Sequence, residues 1–191
     1  LARFRKLDTG ELFLEELERL CAEQLTEDYW TINLPAALAN SSASNAAMMA
    51  YFASLSLLNA KALYSDRYVS DLLDPSIHSP RSAVERHHLF PKGYLEKQKY
   101  KQTERNQTAN YAILEYSTNG VISDRSPRDY APEFEARFSK EAVIDMNHWH
   151  ALPDDWYNMK YDDFLLRRRE LMARIIREGY ELLGNNVAPE I

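Results

Sequence analysis

Two adjacent histidines are the residues of this chain best suited to chemistry. His87 and His88 end an apolar, strand-like run, and Pro91 and Gly93 break that run directly afterwards. An imidazole titrates near neutral pH, so it can act as a general base or as a metal ligand. Because adjacent residues of a regular strand point to opposite faces, the two rings must either divide two roles or lie in a distorted strand end.

Two asparagines accompany a second strand-like segment, residues 109–116, and we expect residues 121–130 to form a short helix or turn. The amide oxygen of Asn110 or Asn119 could accept hydrogen bonds, and such an oxygen also suits a hard cation. Taken alone, Asn110 and Asn119-Gly120 are typical turn residues, because Asn-Gly favours positive φ angles. A histidine pair alone is also more typical of a strand edge or a buried polar site than of a catalytic centre.

The chain is acidic overall but basic around these residues. Its formal net charge is −6 and its pI is about 5.4, which argues against a large non-specific DNA surface. Residues 81–105 nevertheless carry seven basic and three acidic residues, a local charge of +4. We expect residues 95–107 to form a charged loop that meets a phosphate backbone, although a solvated loop explains the composition equally well. The candidate nucleic-acid contacts are Arg86, Lys92, Lys97, Lys99 and Lys101.

Length and composition are those of an ordinary globular domain with a substantial core. The single cysteine, Cys21, excludes a disulfide within the chain and a multi-cysteine zinc site. We expect Cys21 to be a small buried residue and the protein to be cytoplasmic, with no membrane segment. Because the chain begins with Leu1, we also expect it to be a fragment that follows another domain.

Helical periodicity dominates the remainder of the chain. We predict helices over residues 9–30, with Thr9 as N-cap, and over residues 45–64, 69–73, 131–147 and 161–183, with an extended break at residues 32–35. The arginines at residues 167–169 are predicted to lie on a solvated helix face, where one of them could meet DNA. His148 and His150 lack a nearby third ligand and are expected to be structural.

The ordered set of histidines and asparagines resembles the HNH nuclease motif, the ββα-metal fold. HHLFP, residues 87–91, stands where such domains carry a ligand-His-x-x-Pro strand end. Asn110 stands at the middle Asn of the motif, and Asn119 stands at its last ligand. More narrowly, residues 50–183 resemble the C-terminal nuclease region of GmrSD-like restriction endonucleases. The segments that carry this resemblance are HHLFPKGYL, NQTANYAILE, TNGVISDRSPRDYAP and HALPDDWYNMKYDDFLLRRRELMARII.

The resemblance implies a role for each of these residues. His87 and Asn119 would be metal ligands, His88 the general base, and Asn110 a residue that orients the base or the adjoining backbone by hydrogen bonds. The implied metal is Mg²⁺, and Mn²⁺ also suits a site in which His87 replaces the Asp of many relatives. The implied partners are DNA and an N-terminal NTPase-like domain, in restriction of foreign or modified DNA in a prokaryotic cytoplasm.

We therefore predict an α+β fold, mostly α, in which helices enclose a ββα-metal hairpin-helix unit. Its parts would be an N-terminal helical part at 1–80, the HNH motif at 81–135 and a C-terminal helical part at 136–191. The alternative function is a catalytically inactive DNA-binding or protein-interaction module that keeps the HNH scaffold. RNA as the substrate also stays open, because such a site contacts the phosphate rather than the sugar.

Overall fold

Helices make up most of this protein, and two short strands form an antiparallel sheet. The computed structural model describes residues 10–42, 45–74 and 84–186, so the predictions for Thr9 and for the chain end after residue 186 lie outside the described residues. The α+β, mostly α, fold class is confirmed. The helices are α1 (Gly10–Gln24), α2 (Leu34–Ala37), α3 (Ala46–Leu57), α4 (Val69–Leu73), α5 (Lys92–Lys97), α6 (Gln102–Arg105), α7 (Tyr116–Ile122), α8 (Pro127–Glu135), α9 (Lys140–Trp149) and α10 (Tyr161–Asn186), and the strands are β1 (Val84–His88) and β2 (Tyr111–Glu115).

The first two helices are joined by helical turns rather than by the extended break predicted at residues 32–35. A π-helical turn, Tyr29–Asn33, leads directly into α2. Pro35 lies in the first turn of α2, a position at which proline is common because its fixed φ suits a helix. The proline that suggested a break is therefore compatible with a helix start, and that prediction is wrong.

Helix α3 is shorter than the helix predicted for residues 45–64. Asn45 caps it, because the side-chain oxygen accepts a hydrogen bond from the Ala47 N–H at 2.7 Å. The chain turns at Asn59, which has a φ of 52°, and Leu63 then donates its N–H to the Ile113 carbonyl at 3.0 Å. The apolar residues after the turn are buried, so apolar composition alone could not locate the helix end.

Two helices replace the single one predicted for residues 131–147. Ser126 caps α8 by accepting a hydrogen bond from the Asp129 N–H, and Ser139 caps α9 by accepting one from the Ala142 N–H. A serine that binds the backbone in this way favours a new helix start over continuation. The predictions of α4 and of a long final helix are confirmed.

One arginine of the final helix, α10, does not lie on the solvated face that the charge pattern predicts. Arg168 is fully buried rather than solvated, because helical spacing places it on the same face as Phe164 and Met172. Its guanidinium donates to the Ala109 carbonyl at 2.8 Å and twice to the His150 carbonyl, at 3.1 and 3.2 Å. These bonds compensate the loss of hydration, since a buried charge without partners is strongly unfavourable.

Buried apolar side chains from α2, α3, α8, α10 and the sheet region belong to one hydrophobic cluster. Leu89 and Phe90 enter it directly after β1, and Ala112, Ile113 and Leu114 enter it from β2. Within the described residues, no helix is both long enough and apolar enough to cross a bilayer. The sheet that carries the histidines is therefore attached to the same core as the long helices.

We predict that His150 makes the protein less stable in acid. Its ring is buried, and burial lowers its pKa from 6.5 to about 4. Between these two values the unfolded chain binds a proton that the folded chain does not, so the free energy of unfolding falls as the pH falls. For one histidine the loss between pH 7 and pH 5 is about 2 kcal/mol.

Urea unfolding of wild type and His150→Gln at pH 7, 6 and 5 measures this contribution. Glutamine can still donate to the Lys61 carbonyl, which the His150 Nε2–H meets at 2.9 Å. The variant is expected to lose less stability than wild type over this range. Equal losses would contradict the burial effect.

Candidate functional site

Strand β1, strand β2 and helix α7 follow one another around the candidate site. The strands pair antiparallel, with His88 opposite Tyr111 and His87 opposite Ala112. The first predicted strand is confirmed, whereas the second begins later than residue 109 because Thr108–Asn110 forms a 3-10 turn. The prediction of a turn at Asn119-Gly120 is wrong, since both residues lie inside α7.

The charged segment between the strands is helical, which corrects the predicted loop at residues 95–107. Helix α5 begins after Pro91, and Leu95 anchors it in the core. Helix α6 begins after Lys101, whose backbone N–H donates to the Glu104 carboxylate at 2.6 Å. Short helices with local caps of this kind leave little periodicity in the sequence.

A close approach holds α5 beside the segment that follows α7. The Gly93 N–H donates to the Asp124 carboxylate at 3.2 Å, so Asp124 satisfies a backbone donor in the first turn of α5. A Cβ atom on residue 93 would lie 2.2 Å from the same carboxylate. A side chain at position 93 would therefore displace the Asp124 carboxylate from this contact.

His87 and Asn119 meet side chain to side chain. The His87 Nδ1 lies 2.5 Å from the Asn119 Oδ1, although the residues are 32 positions apart. His87 is buried, which lowers its pKa to about 4, so its ring is neutral at physiological pH. Its Nε2 is also buried and has no hydrogen-bond partner. The structure thus brings together the two side chains predicted to bind a metal ion.

His88 is half-buried and meets a residue that the sequence interpretation missed. Its Nε2 lies 3.0 Å from the Oδ1 of Asn106, which follows α6. Burial lowers the pKa of His88 to about 4, and the nearby charge of Lys92 acts in the same direction. At neutral pH the ring therefore carries one proton and one free lone pair, the form that a general base requires.

Both histidines line one open cleft of about 250 Å³. A regular strand would direct adjacent side chains to opposite faces, but β1 ends at His88 and the chain bends at Leu89 and Phe90. The two rings therefore line the same cleft although both residues pair in register with β2, and they have different partners, Asn119 and Asn106. The residues that line the cleft are His87, His88, Pro91, Lys92, Asn119 and Ser123.

Asn110 is fully buried and does not line the cleft. Its Oδ1 accepts from the Phe90 N–H at 2.8 Å, and its Nδ2 donates to the carbonyls of Phe90 and Arg105, each at 3.0 Å. These bonds fix the backbone directly after the two histidines. Hydrogen bonds to the strand-to-loop backbone, as expected for Asn110, are therefore present.

Four of the five basic residues predicted to contact nucleic acid have described side chains, and these four do not gather at the cleft. Lys92 lines it, whereas Lys97, Lys99 and Lys101 are exposed elsewhere on the segment from α5 to α6. The side chain of Arg86 lies outside the described residues, although its backbone pairs with β2. Of the four with described side chains, Lys92 is the one that the structure places beside the histidines.

The donor set suits a hydrated divalent cation. An imidazole nitrogen of His87 and the amide oxygen of Asn119 converge at an open cleft, and Mg²⁺ commonly takes few protein ligands and keeps several waters. The described ranges contain no group of three or more His, Cys, Asp or Glu residues placed to hold a metal ion. A site closed by protein ligands, such as structural zinc requires, is therefore not formed by those residue types in the described ranges.

The other histidine pair, His148 and His150, does not converge on one site. His150 is buried and bonded to the Lys61 carbonyl, whereas His148 is exposed and lies 3.3 Å from Glu178. The two rings thus have different surroundings and different partners. Neither residue lines the cleft.

We predict that Asn110→Ala destabilises the protein by about 3 kcal/mol, because it leaves the backbone N–H and carbonyl of Phe90 unpaired, at about 1–3 kcal/mol each. Gln107→Ala is the matched control, since it removes a partly exposed amide from the same segment. Urea unfolding at neutral pH measures both. If Asn110→Ala lowers the free energy of unfolding no more than Gln107→Ala does, the stabilising role of the Asn110 hydrogen bonds is contradicted.

Comparison of the chain with protein-family models, with curated proteins and with solved structures finds no match.

Proposed function

We propose that this chain is a metal-dependent HNH-type endonuclease that hydrolyses phosphodiester bonds in DNA. The observation that carries the proposal is the convergence of His87, His88 and Asn119 at one open cleft. These residues come from a strand end and from a helix that starts 28 positions later, at Tyr116. Their chemical types are those that the hydrolysis of a phosphodiester needs.

His88 is the proposed general base. Its ring is neutral at physiological pH, because burial lowers its pKa, and it lines the cleft from which a phosphate would be approached. It would accept the proton of the attacking water. The ammonium group of Lys92, at the same cleft, would attract and orient the phosphate.

His87 and Asn119 would hold the divalent cation, Mg²⁺ or Mn²⁺. Such an ion, when bound, supplies positive charge that offsets the charge of the phosphate and of the leaving oxygen. His87 is suited to bind it because its ring is neutral. Asn110 would act at a distance by holding the Phe90 backbone, which follows the histidines.

The order of elements supports the resemblance to the ββα-metal motif. Strand β1, strand β2 and helix α7 occur in that order, the candidate base ends β1, and Asn119 lies in α7. We propose that residues 81–135 form the HNH unit between the two helical parts. Cytoplasmic restriction of foreign or modified DNA, together with an N-terminal NTPase-like domain, is the corresponding cellular role.

A non-catalytic DNA-binding or interaction module is the second candidate. One observation favours it: the His87 Nδ1 and the Asn119 Oδ1 already contact each other at 2.5 Å, so each satisfies the other. A cation would have to replace that contact. In such a module the scaffold would persist, but metal binding would not depend on His87.

We predict that the purified protein nicks supercoiled plasmid DNA in the presence of Mg²⁺ or Mn²⁺. His88→Ala should lower the rate by about 10²-fold or more, because general base catalysis contributes about 10²–10⁴-fold. His148→Ala is the matched control, since it removes an exposed histidine outside the cleft. Agarose gels of the time course measure all three proteins side by side.

Equal cleavage by all three proteins would contradict the role of His88. Absence of cleavage by a wild-type protein that binds the metal would favour the binding module. A single-stranded RNA is tested in the same series. Cleavage of the plasmid but not of the RNA supports DNA as the substrate, and the reverse result supports RNA.

A further inference from the structure

We infer that Asn106 is a positioning residue for His88. Asn106 holds the His88 ring as the Nε2–H tautomer, and the lone pair on Nδ1 is then left to act as the base. The inference rests on the proposed function and deepens it. Asn106 lies 18 positions from His88, and its Oδ1 is 3.0 Å from the His88 Nε2. Asn106 is the first residue of the segment NQTANYAILE, but the resemblance assigns it no role.

The tautomer follows from the chemistry of the contact. A side-chain amide oxygen only accepts hydrogen bonds, so the ring nitrogen that faces it must carry the proton. A neutral imidazole has one N–H and one lone pair, and the lone pair is then on Nδ1. Among the described residues, no group makes a hydrogen bond to that Nδ1. It is therefore available to a water molecule in the cleft.

The position of Asn106 is itself fixed by its surroundings. Its backbone N–H donates to the Gln102 carbonyl at 3.1 Å. The preceding Arg105 carbonyl accepts from the Asn110 Nδ2 at 3.0 Å and from the Tyr161 hydroxyl at 3.3 Å. The acceptor for His88 is thus held both by the buried Asn110 amide and by helix α10.

In the proposed step, His88 accepts a proton from the attacking water. A water O–H bond breaks as a bond forms between that proton and the His88 Nδ1, and the water oxygen forms a new bond to phosphorus. The phosphorus–oxygen bond to the leaving group breaks, and bulk water protonates the leaving oxygen. The ring then bears a proton on each nitrogen, and the contact from Nε2–H to Asn106 is kept throughout.

Two substitutions of Asn106 and one control test this role. Asn106→Ala removes the acceptor, whereas Asn106→Asp keeps an acceptor oxygen at the same place. Gln107→Ala removes the neighbouring amide, which contacts Arg169 and the Thr103 carbonyl instead of His88. The first readout is the ¹⁵N NMR spectrum of histidine-labelled, metal-free protein, in which His88 is assigned by its loss in His88→Ala.

We expect wild type, Asn106→Asp and Gln107→Ala to show His88 with a protonated Nε2 and an unprotonated Nδ1. In Asn106→Ala the two ring signals should move towards each other, as expected of a mixture of tautomers. The second readout is cleavage at saturating metal and DNA. Asn106→Ala should lower kcat by about 10–100-fold, as is typical of residues that orient a functional side chain without contacting the substrate. The kcat of Asn106→Asp should stay within a few-fold of wild type.

Ring signals of His88 that are identical in wild type and a folded Asn106→Ala would overturn the inference. A kcat that falls equally in Asn106→Ala and Gln107→Ala would also overturn it, because the effect would then be a general loss of order. If wild type does not cleave at all, the proposed function fails, and the ring spectra still decide whether Asn106 fixes the tautomer.

Discussion

The candidate site depends on one buried amide. The side chain of Asn110 bonds the N–H and carbonyl of Phe90 and the carbonyl of Arg105. It thereby ties the residues just after His87 and His88 to the residue just before Asn106. A buried amide with all of these bonds formed is rigid, because every bond lost would leave an unpaired polar group. His88 and its partner Asn106 therefore both lie within two residues of backbone that this amide bonds.

Helix α10 holds the same segment from the opposite side. The buried Arg168 donates to the Ala109 carbonyl, and the Tyr161 hydroxyl donates to the carbonyls of Glu104 and Arg105. Arg168 also binds the His150 carbonyl, so the segment near Trp149 belongs to the same network. Helix α10 therefore supports the geometry of the cleft, although none of its residues lines the cleft.

Elements that depend on neighbouring residues could be predicted from the sequence, whereas contacts between residues far apart in the chain could not. Strand β1 and helix α10 were predictable, because strand-forming residues next to a Pro/Gly break and apolar periodicity along a helix are local signals. The contact between His88 and Asn106 was not, since nothing at position 106 shows that a ring 18 residues away will face it. The burial of Arg168 was missed for the same reason, because its acceptors are carbonyls, which every residue carries. The convergence of His87 and Asn119 agrees with the resemblance, while the roles of the site residues are still predictions.

The central claim is that His87 and Asn119 hold a divalent cation beside His88. Titration of the protein with Mn²⁺, followed by electron paramagnetic resonance of the free ion, tests it most directly. The account predicts a site in wild type and in His148→Ala whose affinity falls at least about tenfold in His87→Ala and in Asn119→Ala. Equal Mn²⁺ affinity in wild type and His87→Ala, or no bound Mn²⁺ in wild type, would contradict it.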